Sequence, residues 1–188
     1  IPEDREFSSY KVVILPQMII TKPEMEEKVE AFVKNGGTVI VTYRHAVKDA
    51  DNNVPFGETL PVHYNALAGL TVEETESLQD YDAFPVVGSG VFEGVEGTGG
   101  IFRDMIKVQD AEVLFRYADA FYQEFAAVTR KQTGKGTLYY VGCGLEEKIT
   151  KLLMEQVMRD CHFQMVPSEE GLEIVTRGNE KQKVTMYI

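Results

Sequence analysis

Residues 11–42 read KVVILPQMIITKPEMEEKVEAFVKNGGTVIVT, with two short apolar runs on either side of a helix-like segment. The first run covers residues 11–15, and the second, residues 38–42, is rich in β-branched side chains. Between them, Thr21 and Glu24 have the spacing of a capping box, an apolar stripe follows at helical intervals, and a Gly-Gly pair ends the pattern. A strand, a helix and a strand within about thirty residues predict a parallel βαβ unit.

The pattern changes several times after this unit. Residues 60–70 predict a short helix, residues 125–131 and 136–141 predict a hairpin with glycine in its turn, and residues 145–163 predict a second amphipathic helix. Residues 88–100 contain six glycines in thirteen positions, which is typical of a mobile loop. The first expectation is therefore an α/β fold with a parallel sheet.

The end of the chain has a different character. Residues 171–176 and 183–188 predict alternating strands joined by a turn, and residues 167–170 look like a linker. We predict a main domain over residues 1–166 and the start of a truncated all-β domain over residues 167–188. Because the sequence lacks an initiator Met and stops within a strand-like pattern, we expect it to be a piece of a longer protein.

The composition excludes several classes of partner. The chain has 188 residues, of which 30 are acidic and 19 basic, and its net charge of −11 disfavours nucleic acid and anionic lipid. No apolar run reaches the ~18 residues of a membrane span, so we expect no membrane. Two cysteines, Cys143 and Cys161, are too few for a disulfide framework, which fits reduced thiols and a cytoplasmic location.

The best-placed candidate site directly follows the second predicted strand. Tyr43, Arg44 and His45 would lie at the carboxyl end of a central parallel strand, where open α/β sheets bind ligands. We take these three residues as candidates for substrate binding. The plain alternative is that Arg44 pairs with a carboxylate and that His45 lies on a loop surface.

Other patterns do not support catalysis or metal binding. The acidic loop at residues 49–53 lacks the frame of a calcium loop, and the glycine-rich segment lacks the Lys and Ser/Thr of a phosphate loop. Neither Cys143 nor Cys161 has a base nearby in sequence, and the three histidines lie far apart. We therefore predict no catalytic residue, no metal and no cofactor.

Several stretches, in order, resemble the middle domain of the bacterial β-galactosidases of glycoside hydrolase family 42. They are YKVVILP at 10–16, FVKNGGTVIVTYR at 32–44, LAGLTVEE at 67–74, YADAFY at 117–122, AAVTR at 126–130 and GKGTLYYVG at 134–142. The tail at residues 171–188 resembles the opening of the small C-terminal β domain of that family.

The resemblance implies a trimerisation module with a three-layer α/β/α fold and a mostly parallel sheet, similar to class I glutamine amidotransferases. In that family, two glutamates of a separate barrel hydrolyse terminal β-galactosides with retention. The barrel is absent from this sequence, so no catalytic residue carries over, and the galactoside would be reached only through the missing barrel. We expect this chain to be inactive alone and to self-associate as a homotrimer.

Two other functions stay open. A self-contained amidotransferase-like hydrolase would use Cys143 or His45, although no nucleophile elbow is present. A carbohydrate-binding module would stack sugars on Tyr43, Tyr64 and Tyr81. For a trimer interface the sequence offers aromatic residues that could instead belong to the core, namely Phe84, Phe92, Phe102, Tyr117, Phe121 and Tyr122.

Overall fold

A computed structural model describes residues 5–164, 171–179 and 181–188. The chain divides into two compact units, Ile1–Leu153 and Met154–Ile188. In chain order the elements are β1 Val12–Leu15, α1 Pro23–Lys34, β2 Thr38–Thr42, α2 Asn65–Ala68, β3 Leu70–Ser77, β4 Ala83–Gly88, β5 Glu96–Val108, β6 Glu112–Tyr117, β7 Ala126–Thr133, β8 Gly136–Val141, β9 Cys143–Leu145, α3 Glu147–Asp160, β10 Ile174–Gly178 and β11 Lys183–Tyr187.

The predicted βαβ unit is confirmed. Strands β1 and β2 pair in parallel, with Val12 opposite Thr38, and α1 buries its apolar stripe against the core. The capping box is wrong, because Lys22 is the N-cap and no side chain caps the helix. Pro23 begins α1 instead, since its fixed φ suits the first helical position and its missing N–H is not needed there.

The large sheet has nine strands in the order β1-β2-β8-β7-β6-β4-β5-β3, with β9 on β5. Only β1–β2 and β2–β8 pair in parallel among its described strands, and the other pairs are antiparallel. The thirteen-residue strand β5 pairs with β3, β4, β7 and β9 along its length. Strand β5 therefore contacts β3 at the edge of the sheet and also β7 farther inside it.

The expected three-layer α/β/α fold with a mostly parallel sheet, similar to class I glutamine amidotransferases, is wrong. The chain forms a β-rich domain with a mixed sheet and three α-helices among the described residues. The successive strands from β3 to β6 are joined by short connections, namely residues 78–82, 89–95 and 109–111. Each connection is shorter than the dozen or so residues that a parallel crossover needs. The βαβ pattern of the first 42 residues thus does not continue.

The glycine-rich segment is not the predicted mobile loop. Residues 96–100 are the first part of β5, where Gly97 lies against α3 and Gly99 lies against Phe84. A Cβ at Gly97 would come 2.5 Å from Ile149 Cγ1, and one at Gly99 would come 2.5 Å from Phe84 Cε2. The glycines therefore allow Phe84 and α3 to pack closely against β5. A high glycine content in the sequence does not distinguish such a strand from a loop.

Three other predicted elements are confirmed, whereas β3, β4, β6 and β9 were not predicted from the sequence. The short helix is α2, the second amphipathic helix is α3, and β7 and β8 form the hairpin, with Thr133 opposite Gly136. Gly134 occupies the turn at φ +63, in the left-handed region that favours glycine. The core beneath the parallel strands includes the fully buried side chains of Val29, Val39, Val41, Leu70, Ile106 and Leu138.

We expect Gly136→Ala to lower the free energy of unfolding by about 3 kcal/mol. An added Cβ would lie 2.2 Å from the carbonyl oxygens of Val33 and Gly37, and neither backbone atom can rotate away. Urea unfolding followed by circular dichroism measures the change. Gly94→Ala is the control: it lies at φ +80 with no atom within 4 Å of an added Cβ, and we expect a loss of only about 1 kcal/mol. Equal losses would contradict the close approach at Gly136.

The second unit contains a hairpin. Strands β10 and β11 pair antiparallel, with Ile174 opposite Tyr187, and the Thr176 and Thr185 hydroxyls lie 3.1 Å apart. The two strands predicted at the end of the chain are confirmed, whereas the predicted linker at 167–170 lies outside the described residues. The boundary between residues 1–166 and 167–188 stays a prediction. None of the helices in the described part of the chain combines the length and apolarity needed to cross a bilayer.

Candidate functional site

Two of the three candidate residues after β2 form a stack with Phe102 of β5. The Arg44 guanidinium lies 4.9 Å from the centre of the Phe102 ring, and the Tyr43 ring lies 5.4 Å from it. Arg44 has φ +57, and its backbone N–H donates to Asp104 Oδ2 at 3.0 Å. The buried carboxylate therefore holds the backbone in an uncommon conformation that places Arg44 over the ring.

Arg44 does not form the ion pair of the plain alternative. Within the described part of the chain, no carboxylate lies within ion-pair distance of its guanidinium, and the side chain is half-buried. A partly exposed guanidinium on an aromatic face can accept a carboxylate or a hydroxyl group as a partner. Substrate binding by Tyr43 and Arg44 stays a prediction.

His45 lies in the core and not beside Tyr43 and Arg44 on a surface. It is 1% exposed, and its ring meets the Tyr64 ring edge to face at 4.5 Å. Burial lowers the pKa of His45 to about 3, so the imidazole is neutral at physiological pH. Both ring nitrogens lack a hydrogen-bond partner among the described residues. A buried side chain is poorly placed to contact a substrate. His45 also does not lie on the loop surface, as the plain alternative expected, but packs in the core.

We expect His45 to weaken the fold in acid. The unfolded chain protonates this imidazole below about pH 6.5, whereas the folded chain does so only near pH 3, so stability falls as the pH falls between these values. The slope from this group approaches ~1.4 kcal/mol per pH unit. His45→Phe keeps an aromatic ring against Tyr64 and removes the proton. Urea unfolding from pH 7 to pH 4 should show a shallower loss in the variant, and parallel profiles would contradict this.

Asp104 is the main polar residue that sequence reasoning missed. Its carboxylate is fully buried and accepts hydrogen bonds from Thr75 Oγ1 at 2.6 Å and from the Tyr140 hydroxyl at 2.8 Å, besides the Arg44 N–H. Burial raises the pKa of Asp104, and the hydrogen bonds from Thr75 and Tyr140 partly oppose this. Alternation along β5 could not identify it, because Arg103, at the intervening position, is buried as well.

Arg103 forms a second buried centre, beside Asp104 in sequence. Its guanidinium lies 3.8 Å from the Tyr122 ring centre and 4.1 Å from that of Phe84, and Nη2 donates to Asp119 Oδ2 at 3.0 Å. Glu76 is a further carboxylate, 3.6 Å away. Because Asp119 and Tyr122 both belong to residues 118–125, which connect β6 to β7, Arg103 fastens that loop to the sheet.

The six aromatic candidates for an interface have different surroundings. Phe84, Phe92 and Tyr117 are buried, which confirms the alternative that they belong to the core. Phe102 and Tyr122 are half-buried, whereas Phe121 is 79% exposed. Phe121 is therefore the aromatic side chain of this set that stands free for a partner.

The cysteines do not form a nucleophilic centre. Cys143 is 1% exposed, and burial raises its pKa to about 12, so the thiolate is scarce at neutral pH. Cys161 is half-buried and is not part of a disulfide. With His45 also buried, neither residue proposed for an amidotransferase-like hydrolase is placed for attack on a substrate.

A sugar platform and a metal centre have equally little geometric support. Tyr64 is 1% exposed and Tyr43 is half-buried, whereas Tyr81 is 85% exposed, so the three rings do not share one open face.

In the acidic loop, Asp49 Oδ1 accepts hydrogen bonds from the backbone N–H groups of Asp51 and Asn53. Across residues 5–164, 171–179 and 181–188, no cluster of three or more His, Cys, Asp or Glu could hold a metal ion. The absence of a metal or cofactor stays a prediction.

Curated relatives of this chain are β-galactosidases. β-Galactosidase Pbg of Clostridium perfringens is 36% identical over 141 residues, which cover 73% of this chain and 20% of that protein. β-Galactosidase LacA of Lactobacillus acidophilus is 28% identical over 186 residues, which cover 98% of this chain and 27% of that protein. The chain thus spans about a quarter or less of the length of these relatives.

Solved structures and a family model agree with these relatives. The β-galactosidase from Bacillus circulans sp. alkalophilus superimposes with a TM-score of 0.88 at 27% identity, over 97% of this chain and 27% of that one. The β-galactosidase from Rahnella sp. R3 has the same fold, with a TM-score of 0.91 at 22% identity over 100% of this chain and 28% of that one. Residues 1–164 match the family model described as the β-galactosidase trimerisation domain. The resemblance found in the sequence is confirmed, and the chain belongs to the trimerisation-domain family of the family 42 β-galactosidases.

Proposed function

We propose that this chain is the non-catalytic assembly module of a β-galactosidase and that it holds three copies of the parent enzyme in a cyclic homotrimer. The observation that carries the proposal is the match of residues 1–164 to the trimerisation domain. A cyclic trimer closes only if two different patches of each copy meet, so the interface is heterologous. The contribution of this chain to the enzyme is then geometric.

The described residues support a non-catalytic role. The two candidate groups for nucleophilic or base chemistry, Cys143 and His45, are buried, with pKa values shifted away from activity at neutral pH. The buried Asp104 serves the fold through three hydrogen bonds. In this proposal the parent hydrolyses terminal β-galactosides with two glutamates of a barrel outside this chain, and the galactoside binds there. Neither Cys143 nor Cys161 is part of a disulfide, which is compatible with a cytoplasmic parent.

The hairpin of the second unit supports the proposed start of a small β domain over residues 167–188. Its apolar side chains face water: Val184 is 56% exposed and Tyr187 is 70% exposed. A two-stranded hairpin is marginally stable by itself, and further strands usually cover such side chains. We infer that β10 and β11 belong to a larger sheet in the parent protein.

Light scattering coupled to size exclusion tests the proposed function at two protein concentrations. The expected result is a mass near three times 21.1 kDa, with no hydrolysis of an aryl β-galactoside. A monomer at both concentrations would contradict assembly by this chain. Hydrolysis of the galactoside above the rate of a buffer control would contradict the non-catalytic role.

A further inference from the structure

The loop between β6 and β7 exposes an aromatic side chain for which the fold provides little packing. Phe121 is 79% exposed, and its ring contact among the described residues is an edge-on approach to Tyr122 at 5.1 Å. Burial of a phenyl ring is favourable, and aromatic rings are enriched at the centres of protein interfaces. We propose that Phe121 is the aromatic anchor through which one copy of this chain docks onto the next, an inference that rests on the proposed trimer.

The backbone that carries Phe121 is already ordered. Asp119 and Tyr122, on either side of it, are both held by the buried Arg103. Backbone hydrogen bonds also fix the turn, from Tyr122 N–H to Asp119 C=O at 2.9 Å and from Phe125 N–H to Tyr122 C=O at 2.9 Å. Since docking a rigid loop loses less conformational entropy than docking a flexible one, this arrangement favours binding through Phe121.

The match of residues 1–164 to a trimerisation domain favours a second copy of this chain as the partner of Phe121. Two copies that each carry a net charge of −11 repel one another, so negative charge at their contact weakens association unless cations offset it. Asp119 is paired with Arg103. The ion pair with Glu73 raises the pKa of Lys107, and the charge of Glu124 adds to this, so Glu124 also faces a cation. Because Arg103 also faces Glu76 and Lys107 also pairs with Glu73, these two cations offset part of the negative charge of Asp119 and Glu124.

The chain offers a matched control for this proposal. Phe56 is fully exposed and lies on the long loop after β2, in a stretch without regular structure. Substitutions of Phe56 make the same chemical change as those of Phe121 but outside the ordered loop. Sedimentation equilibrium then compares the wild-type chain with Phe121→Ala, Phe121→Asp, Phe56→Ala and Phe56→Asp, with circular dichroism melts to check folding.

We expect the wild-type chain and both Phe56 variants to form the same oligomer. Phe121→Ala should weaken association by a factor of about 30 or more, as for an interface hot spot, and Phe121→Asp should be a folded monomer. Two results would overturn the role of Phe121 and leave the proposed function standing. In the first, the wild-type chain and Phe121→Asp both form trimers. In the second, Phe121→Asp and Phe56→Asp weaken the trimer equally. Such a result would also be obtained if Phe121 docks onto another part of the parent polypeptide. A monomeric wild-type chain overturns both.

Discussion

Asp104→Ala is expected to lower the free energy of unfolding by about 4 kcal/mol at neutral pH. The substitution removes the acceptor for the Tyr140 hydroxyl and for the Arg44 N–H, and it leaves Thr75 without its partner. Each buried donor that is left unsatisfied costs about 1–3 kcal/mol, and Tyr140 is fully buried. Urea unfolding monitored by circular dichroism measures the loss. A loss below about 1 kcal/mol would show that water replaces the carboxylate.

Asp104→Asn is the matched variant, and it should be tolerated. The amide oxygen can accept from the Arg44 N–H and the Tyr140 hydroxyl, and the amide nitrogen can donate to the Thr75 hydroxyl, which also accepts hydrogen bonds. The variant therefore keeps three hydrogen bonds without a buried charge. We expect its loss at neutral pH to be well below that of Asp104→Ala.

We also predict how the difference in stability between Asp104→Asn and the wild-type chain depends on pH. Burial raises the pKa of Asp104 in the folded chain above the unfolded value of 3.8, so between the two values the folded state binds more protons and its stability falls as the pH rises. Asp104→Asn lacks this group. The stability of the variant relative to wild type should therefore increase from pH 4 to pH 7, and the contribution of His45 cancels in that difference. A constant difference would contradict the raised pKa.

Arg103→Ala is expected to lower the free energy of unfolding by about 4 kcal/mol as well. Arg103 is 4% exposed, and the substitution removes a desolvated guanidinium from between Phe84 and Tyr122, breaks its hydrogen bond with Asp119 and leaves a cavity. Because the partner carboxylates are partly exposed, water compensates part of their loss.

Two further variants separate the causes of this effect. Arg103→Lys keeps the positive charge and loses the planar group, so we expect a loss between wild type and Arg103→Ala. Arg116→Ala removes an exposed arginine from β6 and should stay within about 0.5 kcal/mol of wild type. Equal stability of Arg103→Ala and Arg116→Ala would show that the contacts of Arg103 contribute little to the fold.

The local elements could be predicted because their signals lie within short stretches. The βαβ unit, the β7–β8 hairpin and α3 follow from apolar periodicity and glycine position alone. The partner strands of β5 could not be predicted in this way, since its thirteen residues meet four other strands, of which only β4 directly precedes it in sequence. Local patterns predicted a parallel sheet from the βαβ unit but do not specify which of the later strands pair, and the three-layer α/β/α fold that the resemblance implied was wrong.

The candidate site shows the same division. Position after β2 identified Tyr43 and Arg44, and the structure brings both to Phe102. His45, the next residue, lies in the core between Arg44 and Ala46, which both have left-handed backbone. Periodicity does not reveal left-handed backbone at non-glycine residues.

The sequence by itself determined the family of this protein, its strongly negative charge and the local elements at both ends of its main unit. Only the tertiary structure decided that Arg103 and Asp104 are buried, since their partners Tyr122 and Tyr140 come from other strands and loops. The physical reason is that a charged group is stable in a core only when several distant segments supply its partners together. Such convergence is a property of the folded chain and not of any short stretch of it.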